Sequence, residues 1–181
     1  MNIIRKSLTL LVLAALPVLA SAQNIPQRLE LVQIEREIDS FSIETLEVFN
    51  MPAEGANHYY LTVGRLGIGD DVIQAYIDPL SELFIPLGES VAEALESMQQ
   101  LQSLFKEQPG TGLETVGCVA IGFPNEKLEP VRVTYRKPLL TKSLEFTVQR
   151  DTYSRSAQMQ KSDFDALVRG VKFYQRLHPN E

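Results

Sequence analysis

Apolar and polar positions change their spacing several times along this chain, and each change marks an element. In Ser42–Asn50, Leu46 and Val48 are separated by acids, which predicts a strand, and the turn residues Pro52 and Gly55 follow. Residues 58–68 predict a second strand, with Tyr59, Leu61 and Val63 on one face and Tyr60, Thr62, Gly64 and Leu66 on the other. Val72–Asp78 predicts a third, ended by Pro79, and Leu83–Ile85 a short fourth that stops at Pro86, because proline cannot donate to a ladder. The period then lengthens. Over Glu89–Lys106, Val91, Ala94, Leu95, Met98, Leu101 and Phe105 recur at helical spacing, Ser90 and Glu93 have capping-box spacing, and Pro109-Gly110 closes the helix.

Four more strands are expected. Glu114–Phe123 is apolar on both faces and reads as central. Val131, Val133 and Tyr135 alternate with Arg132, Thr134 and Arg136, and Leu144, Phe146 and Val148 with Glu145, Thr147 and Gln149, giving two half-buried strands. Thr152–Gln160 is less regular and reads as the hairpin partner of the strand just before it, through a tight turn near Arg150-Asp151. A last helix is predicted over Ser162–His178, with Phe164, Leu167, Val168, Val171 and Tyr174 as its apolar stripe, Ser162 as its cap and Pro179 as its stop. Residues 23–40 settle into no single period; a leading strand, a short helix and a docked arm all fit them.

Short connections between strands favour antiparallel pairing, and two amphipathic helices can cover one sheet face. The expected fold class is therefore α+β: a mainly antiparallel sheet of about seven or eight strands with two amphipathic helices, one central and one C-terminal. Each half reads as strands followed by a helix, without a convincing sequence repeat between them.

The N-terminus changes this picture. Arg5 and Lys6 precede an apolar run from Leu8 to Leu16, then Pro17 and the small-x-small pattern Ala20-Ser21-Ala22. Residues 1–22 read as a cleaved signal peptide, residues 23–41 as an N-terminal arm or leading segment, and residues 42–181 as a single α+β domain. The expected location is periplasmic or extracellular. With Cys118 the sole cysteine, an intramolecular disulfide is impossible.

Charge narrows the partners. The chain carries 17 Lys+Arg against 23 Asp+Glu, which disfavours general binding to nucleic acid or to anionic membrane surfaces. No segment is long and apolar enough to suggest a membrane span. The charge is uneven: residues 23–100 hold 14 acids and three bases, residues 101–181 nine acids and 12 bases. In the basic half, Arg132, Arg136 and Lys142 lie on consecutive strands or their turns and form a candidate face for an acidic partner. Cations on exposed strands also discourage edge aggregation.

The candidate chemistry is sparse. Gly64, Gly67 and Gly69 match neither dinucleotide nor phosphate-loop spacing, and a strand rather than a helix follows them, so Gly69-Asp70 reads as a hairpin turn. Asp70, Asp71, Asp78 and Glu82 lack calcium-loop spacing, and the two histidines, His58 and His178, are far apart in the chain, so no metal or cofactor is expected. Cys118 lies in an apolar strand, and neither a Cys–His signature nor a serine nucleophile elbow is present. These features favour an exported, non-catalytic domain that binds a protein or glycan or serves as a structural part of the cell envelope. The alternatives are a small hydrolase assembled near His58, Tyr59, Tyr60, Asp70 and Asp71, and a carrier with an apolar cavity between sheet and helices.

Overall fold

The computed structural model of this chain describes residues 27–39, 42–68, 82–119, 121, 126–149 and 154–179. The expected leader, the Val72–Asp78 strand, and the turns at Gly69-Asp70 and Arg150-Asp151 lie outside the described residues. Within them the chain forms β1 (Leu29–Asp39), β2 (Ser42–Asn50), β3 (Tyr59–Arg65), β4 (Gly67–Ile68), β5 (Glu82–Gly88), α1 (Val91–Ser103) with a 3₁₀ turn at Leu104–Lys106, β6 (Gly112–Gly117), β7 (Glu129–Arg136), β8 (Ser143–Gln149), β9 (Ser154–Gln160) and α2 (Lys161–Leu177). Every strand pair among the described residues is antiparallel, so the fold is α+β with antiparallel sheet.

The strands form two sheets, ordered β1-β2-β3-β5 and β4-β9-β8-β7-β6. Both halves follow one plan: an antiparallel meander, then a helix. Two seams join the sheets. At one, the chain leaves β3 through Leu66 and pairs as β4 with Ser156 and Arg155 of β9. At the other, the backbones of Phe84 and Cys118 exchange two hydrogen bonds of 2.9 Å, linking β5 to the end of β6. The inner faces share one core with both helices: Leu61 and Val63, Ile85 and Leu87, Val133, Phe146 and Met159 meet Met98 and Leu101 of α1 and Phe164, Leu167 and Val171 of α2.

The leading segment is a strand: β1 pairs with β2 from Leu29↔Asn50 to Asp39↔Ser42, and α2 packs across it. That approach needs Gly170. A Cβ there would stand 2.8 Å from Val32 Cβ, which no side chain tolerates.

Four expectations are corrected. Residues 58–68 are two strands in different sheets, divided at Leu66. The break follows a bulge between Thr62 and Gly64, where Gly64 has φ +121° and a Cβ would lie 3.0 Å from Glu44 Cδ. Pro86 does not end β5, which runs on to Gly88. Phe84 N–H points to Cys118, away from β3, so two residues later the missing Pro86 N–H falls on that same outer side and costs the β3–β5 ladder nothing. Strand β6 is an edge strand of its sheet, not a central one; its apolar end at Gly117-Cys118 is buried because the seam to β5 covers it. Finally, Ser162 is not the cap of α2: Gln160 holds that position without a side-chain bond, and Ser162 Oγ donates to Asp163 Oδ1.

Candidate functional site

The outer face of the first sheet carries a small second core of Phe49, Tyr60, Phe84 and Cys118, flanked by Met51 and Ile121. Phe49 stacks on Tyr60 with centroids 5.6 Å apart, and Arg28, ion-paired to Glu47, lies 3.8 Å above the Phe49 ring. Glu126, from the connection before β7, closes this cluster. Its carboxylate accepts Tyr60 Oη at 3.0 Å and Cys118 Sγ at 2.9 Å. Burial first, and the Glu126 carboxylate second, push both the thiol and the phenol well above their ordinary pKa values. A reactive cysteine needs the opposite setting, a cation or helix N-terminus that favours thiolate. Here the thiol is held protonated as a donor.

Of the residues singled out for a hydrolase, the described ones are placed as follows. Tyr59 and Tyr60 are consecutive in β3, so their side chains point to opposite faces, one into the main core and one to Glu126. His58 precedes them and donates its backbone N–H to Asn50 Oδ1 at 3.1 Å. Asp70 and Asp71 lie outside the described residues, as does Asp78 of the calcium quartet; Glu82 pairs with Arg65 in register. Among the described residues no three His, Cys, Asp or Glu side chains are grouped as metal ligands would be.

The basic strand residues separate. Arg132 and Arg136 share the exposed face of β7. Arg136 Nε and Nη2 both reach Glu145 Oε2, at 2.7 and 2.6 Å, so its charge is matched. Arg132 faces Glu114 across the β6–β7 register, and Lys142 stands half-buried in the turn before β8.

A different cationic surface is open. Arg169, Lys172, Gln175 and Arg176 of α2, with Leu95 of α1, line a shallow cleft of about 520 Å³ between the helices. The apolar stripe of α2 is buried in the core, which turns the other face outward. Arg169, Lys172 and Arg176 recur at helical spacing on it, and no acid of α2 follows Asp165. None of the three is ion-paired among the described residues. Favourable interaction with the helix dipole accounts for Arg176, in the last turn, but fades before reaching Lys172 and Arg169.

The cleft was within reach of the sequence: cations at i, i+3 and i+7 opposite an apolar stripe are visible there. Its wall at Leu95 was not, since that position belongs to the apolar stripe of α1. Glu126 gave no signal at all, because it meets Tyr60 and Cys118 only through the path of a connection. No helix among the described residues is long and apolar enough to cross a membrane. Comparison with family models, with curated proteins and with solved structures found no match.

Proposed function

We propose that this chain is an exported, non-catalytic binding domain whose cleft between α1 and α2 receives an acidic segment of a partner protein. The observation that carries this reading is three cations, Arg169, Lys172 and Arg176, that form no ion pair among the described residues and line one open cleft beside Leu95. Cationic rims steer an anionic partner and fix its register, while the wall at Leu95 supplies apolar contact. Export rests on the N-terminal pattern of Arg5, Lys6, the Leu8–Leu16 run and Ala20-Ser21-Ala22. The protonated thiol of Cys118 and the divergent Tyr59 and Tyr60 favour binding over hydrolysis.

The test is fluorescence anisotropy with a labelled glutamate-rich peptide and the processed chain. Binding is expected to weaken steeply with salt, and Arg169→Glu with Lys172→Glu to weaken it about a hundredfold, at roughly tenfold per reversed contact. Unchanged affinity in the double variant, or no binding by the wild type to the acidic peptide at low salt, rejects this cleft as the site.

A further inference from the structure

The turn between β7 and β8 carries the least covered apolar side chains of the described chain. Leu139 and Leu140 are 94% and 95% exposed. They sit in Lys137-Pro138-Leu139-Leu140-Thr141-Lys142, a turn closed by Thr141 N–H donating to the Pro138 carbonyl at 3.1 Å. Leu139 also has φ +52°, a left-handed conformation in which glycine or asparagine is far less strained. A hairpin tip therefore holds a branched apolar side chain in a costly backbone state, left 94% exposed and covered by none of the described residues.

We propose that this tip is an anchor that dips into the surface of an anionic lipid bilayer. Three observations favour lipid over a protein pocket. First, both leucines are almost wholly exposed, so they do not pack on each other but diverge; a fluid hydrocarbon phase accepts divergent side chains, whereas a pocket would have to enclose the whole tip. Second, Lys137 and Lys142 flank the pair, no acid occurs from Arg136 to Lys142, and neither lysine is ion-paired among the described residues. Long lysine side chains reach back to phosphate groups while the leucines go deeper. Third, the turn's own hydrogen bond reduces the polar backbone that insertion would strip of water.

The net negative charge of the chain opposes indiscriminate attraction, so anionic lipid is met by the two lysines of the tip and not by the chain as a whole. The tip lies at the N-terminal end of α2, where Lys161 N–H donates to the Lys142 carbonyl at 2.8 Å. Lys172 is about 16 Å further along the helix axis, more than a Debye length from that end of α2 at physiological salt.

The experiment is vesicle flotation with the processed chain. Phosphatidylcholine vesicles containing about one-third phosphatidylglycerol are compared with phosphatidylcholine alone. The wild type is expected to float with the anionic vesicles, and Leu139→Ser with Leu140→Ser to lower partitioning at least tenfold, each leucine contributing about that factor when buried. Lys137→Glu with Lys142→Glu should abolish the preference for anionic lipid, while Arg169→Glu with Lys172→Glu should leave flotation unchanged. Thermal melts check that the turn variants fold as the wild type does. Absent flotation of the wild type, or equal flotation of the serine variant, overturns the proposal. So does loss of flotation in the cleft variant alone. Leucine-dependent self-association without vesicles would reassign the tip to a protein contact and overturn it equally.

Discussion

A thiol that donates to a carboxylate in a buried setting is a poor nucleophile. Cys118 and Tyr60 both donate to Glu126, and both are shifted toward their protonated forms, first by burial and then by that carboxylate. The folded chain thus holds these two protons more tightly than the unfolded chain. Their contribution to stability is complete below the unfolded thiol pKa of about 8.5 and falls as pH rises beyond it, because unfolding then releases protons. The urea midpoint should drop between about pH 7 and about pH 10, and Cys118→Ala with Tyr60→Phe should flatten that drop. Iodoacetamide should modify native Cys118 far more slowly than a free cysteine at the same mildly alkaline pH. Fast alkylation, or an alkaline slope unchanged in the double variant, would count against the protonated cluster.

At the scale of elements, the two helices begin differently. The start of α1 is closed on both sides: Glu93 N–H donates to Ser90 Oγ at 3.2 Å, and Glu89 N–H to Glu93 Oε2 at 2.7 Å. Strand β9 leads directly into α2, with no side chain capping its first turn. Instead Lys161 and Gln102 both donate to Asp165; their bonds outweigh the upward push of burial and hold its carboxyl below the usual range. Ser90→Ala should therefore cost about 1 kcal/mol, and Ser162→Ala no more than about 0.3 kcal/mol, in matched denaturation curves. Equal losses would mean that Ser162 caps after all. The reason for the difference lies in where the chain turns. Ser162 has cap chemistry, but β9 stays paired to Ser143 up to Gln160, which moves the cap position back by two residues.

Across the whole molecule, Arg36 ties the leading hairpin to α2. It pairs with Glu44 on the neighbouring strand and approaches Asp163 of α2 at 3.6 Å. The Glu44 side chain is only 8% exposed, and its other oxygen accepts Arg65 N–H at 3.2 Å beside Gly64. Arg36→Ala would leave that carboxylate buried with one partner fewer, and a loss of about 3 kcal/mol is expected in equilibrium unfolding. A loss below about 1 kcal/mol would place the pair with ordinary surface ion pairs. This contact also explains Gly64. Its missing side chain is the space that the Glu44 carboxylate fills, where the chain passes from one sheet to the other.

Elements whose chemistry is local were legible in the order of residues alone. Alternation set β2 at Ser42–Asn50 and the faces of β7 and β8, helical spacing set α1 and α2, and Ser90-x-x-Glu93 set the start of α1. The antiparallel α+β class followed from short connections. Matters that depend on which edge or face a neighbour occupies were settled by packing. It divided residues 58–68 between two sheets, let β5 run through Pro86, put β6 at an edge and gave Cys118 its carboxylate partner. It also paired Arg136 with Glu145 while leaving Arg169, Lys172 and Arg176 around an open cleft. The physical reason is range. Periodicity and capping are fixed by residues within a turn or two, whereas strand order, a buried carboxylate and the worth of a surface charge depend on side chains distant in sequence.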